Sequence, residues 1–343
     1  MKQLILFSVA VFSVLNVAAQ TSEGTSNAIN LGPLLQKAYL EKQKEQAKQE
    51  VVVAENEPKK PLIEVVLNSD VDKDIPATTI KNPNAFAIVI GNRDYAHTAS
   101  VDYAIHDARA VKNYLLESMG YVEENVFLVE NATLRDFNKW FGTDRDFKGR
   151  LYNLVYGNDE SNTDVFVYYA GHGAPDVNTQ TGFFLPIDCE TDYINITAYS
   201  GDQLFNNLAK INARSTTVVL DACFSGNGII KGLSAVAIKP KDFSSIPNGV
   251  VLSSSSGTEP SAWFEENNHG LFTYYFLKAI HNGNADTDAD GNLTANEIYQ
   301  YASNNVTRKA RSLRNLDQHP TIQGDARNNV LVKFSSPSVN DEE

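Results

Sequence analysis

Two stretches carry residue types that can do chemistry together. Ser215 to Gly226 reads STTVVLDACFSG, and Asp164 to Gly173 reads DVFVYYAGHG. In each, a run of β-branched, aliphatic or aromatic residues reads as a buried parallel strand. One run ends in Cys223 and the other in His172 followed by Gly173. A thiol and an imidazole at the C-terminal ends of such strands stand where open α/β sheets present reactive groups. As thiolate, cysteine is a strong nucleophile; histidine can take its proton and pass it to a leaving amine. Gly173 has no side chain to screen its N–H, which could face a developing oxyanion together with the N–H of Cys223. The plain alternatives are a small buried thiol and a satisfied histidine. Their shared placement, each beside glycine at a strand end, favours chemistry.

The elements that must position this pair follow from the periodicity. AFAIVIGN, NVFLVEN, DVFVYYAGHG, STTVVLDAC and GVVLSSSS read as strands, with a short β segment at FFLPID and a late strand at NVLVKF. Between them, YAIHDARAVKNYLLESMG is an amphipathic helix closed by Gly120. Further helices are expected over Thr133 to Tyr156, Thr197 to Leu208, HGLFTYYFLKAIHNG, and Glu297 to Ser312. Strands alternating with helices predict an α/β fold, a mostly parallel central sheet with helices on both faces. Asp221 lies two residues before Cys223, so period-two alternation sets both on one side of the strand end.

The combination YYAGHG with LDACFSG, flanked by AFAIVIGNRDY and GLFTYYFLKAI, resembles the caspase-like cysteine peptidases, in particular the bacterial metacaspase-like branch. The resemblance runs from about residue 85 to about residue 334. It implies the caspase-like sandwich, peptide-bond hydrolysis by a Cys223–His172 dyad, and a peptidase domain over residues 84–335. Within it, a large-subunit region (84–226), a linker (227–248) and a small-subunit region (249–335) are expected. The linker is a place for maturation cleavage in that family. Asp107, in AIHDARA, matches the acid that metacaspase-like enzymes carry after their first strand, and Ser261 matches a pocket-wall position. Two carboxylates, Asp107 and Asp221, in one pocket imply substrates with Arg or Lys before the cleaved bond, and self-processing after basic residues. A helix-terminal acid and a hydrogen-bonded strand-end acid are their plain readings. A catalytically silent caspase-fold binding module is the main alternative function.

A second motif stands apart from the dyad. Residues 286–297 read DTDADGNLTANE, which meets the EF-hand loop pattern. Asp286, Asp288 and Asp290 supply side-chain oxygens, Asn292 its carbonyl, Thr294 a direct or water-mediated contact, and Glu297 a bidentate carboxylate for Ca2+. Such an ion would brace the small-subunit region, since the chemistry needs no cofactor. A solvated acidic turn is the alternative, and an adhesion role for one unrepeated loop is poorly supported. His97, His106, His269, His281 and His319 show no metal-ligand spacing and read as surface or loop residues.

Bulk properties narrow the classes. The 343 residues carry a formal net charge of -13, which excludes general nucleic-acid binding. Residues 1–19 (MKQLILFSVAVFSVLNVAA) have the charged start, short apolar core and small-residue cleavage site of a signal peptide, so export is expected and no membrane span. Residues 20–83 read as a prosegment or linker, and 336–343 as a tail. In an oxidising compartment, a Cys189–Cys223 disulfide is the structural alternative for the thiol. Cys189 otherwise reads as incidental.

Overall fold

The computed structural model describes residues 69–159, 162–175, 182–223, 246–256, 259–281 and 283–334, with the backbone alone at Cys223. The expected signal peptide, most of the 20–83 segment, most of the linker and the tail lie outside the described residues.

In chain order come β1 (Ala85–Gly91), α1 (Ala104–Glu117), β2 (Val126–Glu130), α2 (Leu134–Phe141), α3 (Arg150–Tyr156) and β3 (Asp164–Pro175). Then follow β4 (Gly182–Phe184), α4 (Ile194–Thr197), β5 (Tyr199–Ser200), α5 (Gly201–Leu208), β6 (Ser215–Cys223) and β7 (Gly249–Ser253). The last part contributes β8 (Trp263–Phe264), β9 (His269–Gly270), α6 (Leu271–His281), β10 (Asn292–Thr294), α7 (Ala295–Arg314), β11 (Thr321–Gly324) and β12 (Val330–Lys333).

The central sheet has the order β11-β7-β6-β3-β1-β2. All its neighbours are parallel except the edge strand β11, which runs antiparallel to β7. Alternation along β1 and β3 explains why these runs lack a polar face. Ala87, Val89, Phe166 and Tyr168 point into the core that α1, α6 and α7 cover. Phe86, Ile88, Val165 and Val167 point into the opposite core, under α2, α3 and α5.

Several expectations meet a different outcome. The late strand expected at NVLVKF forms as β12, though outside the central sheet, paired antiparallel with β10. The edge place belongs to β11, whose TIQG sequence is half-buried throughout and shows no alternation. The Thr133–Tyr156 stretch breaks at Gly142, where φ is +83° and a Cβ would lie 2.6 Å from the Asp146 carbonyl oxygen. The helix expected from His269 starts at Leu271, because His269 and Gly270 pair as a strand with Trp263 and Phe264.

Residues 69–83 pack on the domain. Val71 is fully buried and its carbonyl accepts from Tyr114 Oη at 2.7 Å. The Thr78 N–H donates to Glu117 O at 2.7 Å, and Asp70 pairs with Lys278 of α6. Among the described residues no helix is long and apolar enough to cross a membrane.

Candidate active site

The parallel pairing of β3 with β6 runs in register to its last rung, where His172 is the partner of Cys223. Sequence spacing could not fix that register. It follows from matching two fully buried runs from Asp164↔Ser215 onward. The two backbones that carry the expected base and the expected nucleophile are therefore direct neighbours at the C-terminal edge of the sheet. The Cys223 side chain lies outside the described residues. Cys189 is a free, buried thiol.

His172 is held from three sides. Its ring lies 4.7 Å from the Tyr95 ring, and its N–H donates to Tyr95 Oη at 2.7 Å. Its carbonyl accepts from Tyr169 Oη at 2.6 Å. Nε2 lies 2.8 Å from the Ala99 carbonyl oxygen, which can only accept, so Nε2 carries the proton and Nδ1 is the basic nitrogen. This backbone carbonyl is the orienting group that has no signature in the sequence. Burial lowers the His172 pKa, and the Ala99 contact offsets that only in part. Gly171 makes the arrangement possible: a Cβ there would lie 2.6 Å from Tyr95 Oη and 2.7 Å from Tyr169 Oη. Gly173, next to His172 on β3, pairs with Phe184 of β4.

Beside the imidazole lies a cavity of about 120 Å³ whose lining includes His172, Asp107, Asp221, Ser261, Tyr103 and Trp263. The expected base, both expected specificity acids and the expected pocket-wall serine are thus brought together. Asp107 reaches the site because α1 starts against the end of β1. Gly91 permits this, since a Cβ there would lie 2.5 Å from Ala104 O. Its Oδ2 accepts from the Gly270 N–H at 3.0 Å, and its Oδ1 lies 2.6 Å from His269 Nδ1. Asp221 Oδ2 accepts from Thr273 Oγ1 at 2.6 Å and from the Thr273 N–H at 3.1 Å. Burial, followed by the nearby Asp107 charge, pushes the Asp221 pKa up to about 7. Ser261 Oγ pairs with Ser254 Oγ. Gly270 separates the two acids: its Cβ would lie 2.4 Å from Asp221 Oδ2 and 3.1 Å from Asp107 Oδ2. Tyr103 and Trp263 meet edge to face at 5.8 Å. A larger cavity of about 480 Å³ lies at the other end of the strands, lined by Asp164, Arg214 and Ser215, and holds neither member of the dyad.

His269 corrects an expectation. It is completely buried rather than a surface or loop residue. Burial lowers its pKa, but the flanking Asp107 and Asp72 carboxylates together outweigh burial and raise it to about 9. No spacing rule links residues 72, 107 and 269, so only the fold reveals the cluster.

The loop at 286–297 gathers part of its expected ligand set. Carboxylate oxygens of Asp286, Asp288 and Glu297 lie within 4.8 Å of one another. Asp290 instead turns its Oδ1 to the Asn292 N–H at 2.7 Å. Gly291 has φ +80° with open space around it, as the sharp sixth position of such a loop requires. Thr294 is the N-cap of α7 in a reciprocal capping box with Glu297. Asn292 and Thr294 also lie on β10.

A family model described as the caspase domain matches residues 84–331. Metacaspase-1 of Eremothecium gossypii is 28% identical over 153 residues, which are 43% of this chain and 33% of that protein. The matched part thus spans about a third of that relative. The crystal structure of caspase-1 from Spodoptera frugiperda matches with a TM-score of 0.50 at 14% identity, over 80% of this chain and 99% of that one. That likeness is one of fold.

Proposed function

Because this chain belongs to the caspase-domain peptidase family, we propose that it is an exported cysteine endopeptidase that cleaves after Arg or Lys. Cys223 is the nucleophile and His172 Nδ1 the base. Once the thiolate has attacked the scissile carbonyl, the imidazolium returns its proton to the leaving amine, and water then hydrolyses the thioester. The N–H groups of Gly173 and Cys223 serve the oxyanion.

One observation carries the specificity: Asp107 and Asp221 share a small cavity with the base. Among the described residues no Lys or Arg lines that cavity, and Tyr103 and Trp263 add aromatic rings to its wall, a surface that suits a cation. An entering guanidinium or ammonium would displace the proton held on Asp221 and meet two carboxylates. An acidic side chain would meet like charge. A thiol-reactive peptide ending in Arg is expected to label Cys223, whereas its Asp counterpart is not. Equal labelling by both would discard the basic specificity, and labelling by neither would discard the peptidase.

The reading includes Ca2+ at residues 286–297. The fit rests on the three converging carboxylates and on Gly291. Asp286, Asp288 and Glu297 would hold the ion, with Asp290, the Asn292 carbonyl and Thr294 completing the shell. The ion would supply structural bracing where β10 meets β12. Glu297→Gln separates this role from helix capping, because glutamine keeps an acceptor oxygen for the Thr294 N–H but loses the charge. Calcium should raise the Tm of wild type and change that of Glu297→Gln much less. Calorimetry showing no calcium uptake by metal-free wild type would reduce the loop to an acidic turn.

A further inference from the structure

Behind the specificity pocket, three side chains from distant parts of the chain converge. Asp72 comes from the short turn at Asp70–Asp72, His106 from the first turns of α1, and His269 from β9. His106 Nε2 lies 3.0 Å from Asp72 Oδ2, and His269 Nε2 lies 3.3 Å from Asp72 Oδ1. The two imidazole centroids are 4.5 Å apart. One donor atom from each of the three residues lies within 4.8 Å of the others.

His269 supplies the second observation. Its side chain is completely buried, yet its Nε2 makes no hydrogen bond. Its other nitrogen, Nδ1, lies 2.6 Å from Asp107 Oδ1, where it must carry a proton to donate. Nε2 is then the nitrogen left to face Asp72 and His106. Its polar neighbour is Asp72 Oδ1 at 3.3 Å, without hydrogen-bond geometry, and a buried polar atom so poorly satisfied calls for an explanation. A cation seated between this nitrogen, His106 Nε2 and the Asp72 carboxylate provides one.

The chemistry of the donors selects the ion. Neighbouring ligand atoms around a tetrahedral zinc ion with bonds of about 2.0 Å stand about 3.3 Å apart. Each imidazole nitrogen here stands at a comparable separation from one Asp72 oxygen, His106 Nε2 at 3.0 Å from Oδ2 and His269 Nε2 at 3.3 Å from Oδ1, and the three-residue donor set closes to within 4.8 Å. Two imidazoles with one carboxylate form a set suited to zinc and unlike the all-oxygen shell of calcium. A carboxylate on the far nitrogen of a ligating histidine, as Asp107 is to His269, is the usual outer support of such a ligand. The side chains of His106 and Asp72 retain 10% and 7% exposure, whereas that of His269 retains none.

We propose that Asp72, His106 and His269 form a binding site for a divalent transition-metal ion, zinc by ligand type. The site is separate from the acidic loop at 286–297 and from the Cys–His dyad. Binding replaces any proton on Nε2 of either histidine and releases it to solvent. The occupied site ties residues 70–72 to the ring that holds Asp107, so the ion braces the pocket from behind. It does not depend on the peptidase reading.

The test uses the untagged full-length chain carrying Cys223→Ala, which removes the competing thiolate, with calcium in excess. Zn2+ and Co2+ are the probes, followed by calorimetry and by the visible absorption of cobalt. The expected result is one ion per chain, with cobalt bands of nitrogen and oxygen ligation. Affinity should fall at least tenfold in His106→Ala and in Asp72→Asn. Neither substitution alters His269 or its Asp107 contact, and melting curves check that the variants fold. Absence of saturable binding, or equal binding in both variants, would overturn the site.

Discussion

Cys223→Ala protein is expected to show no measurable turnover of basic peptides, with its fold unchanged. Removing the nucleophile from a comparable catalytic unit lowers kcat on the order of a million-fold. Alanine is smaller than cysteine and leaves the β3–β6 ladder intact, so melting curves should coincide. His172→Ala should cost several orders of magnitude, because no other imidazole lines the cavity. The lowered His172 pKa keeps the base neutral at weakly acidic pH, so once the titration of Asp221 is removed, as in Asp221→Asn, the remaining acid limb of kcat/KM should fall below the ordinary histidine range of about 6.5. Self-processing provides a second readout. Wild type should trim itself after Lys or Arg in the 37–60 and 231–241 segments, least readily after Lys60, which Pro61 follows. Cys223→Ala should stay whole by mass spectrometry. Substantial activity in Cys223→Ala would remove the mechanism.

Asp221→Asn is expected to lower kcat/KM for Arg substrates roughly a hundredfold, the scale of a lost buried charge-assisted hydrogen bond of a few kcal/mol. Asp107→Asn should act in the same direction. The pH dependence distinguishes a pocket acid from a structural one. With its pKa pushed up to about 7, Asp221 must lose a proton before it can pair with a guanidinium. Wild-type kcat/KM should therefore rise through neutral pH, and that rise should vanish in Asp221→Asn. Stability should move the other way. A carboxyl raised from 3.8 to about 7 on folding keeps a proton that the unfolded chain gives up. Its favourable contribution is complete below about pH 4 and is lost as pH rises through 7. Asp221→Asn should accordingly gain thermal stability over wild type at pH 8, with the gain shrinking toward pH 4. A variant that loses stability at pH 8 and keeps full Arg turnover would identify Asp221 as a structural acid only.

The legible parts of the sequence were those with a strong local period. The strands carrying His172 and Cys223 are buried on both faces, and such runs announce themselves. Asp221 followed from alternation along one strand, and Asp107 from resemblance. What stayed hidden depends on contacts between distant residues. The Ala99 carbonyl orients the base through an atom that every residue has. His269 reads as a surface or loop residue because its partners, Asp72 and Asp107, lie 197 and 162 positions away. Strand β11 is half-buried and only four residues long, so no period develops. Residues 69–83 read as a linker because they form hardly any regular structure, yet backbone and side-chain bonds to α1 and α6 fix them.

The packing of residues 69–83 also bears on what a cut in the 224–245 stretch would leave. The piece before the cut would own β6 and the turn with Asp70 and Asp72. The piece after it would own β7, His269 and Lys278. Five rungs of β6–β7 pairing would still join the fragments. So would the Asp70–Lys278 and Asp107–His269 contacts, made by residues outside the β6–β7 ladder. Each fragment would hold the other in an embrace with two separate grips. Separation would need both to open together, which favours a long-lived nicked heterodimer over free halves.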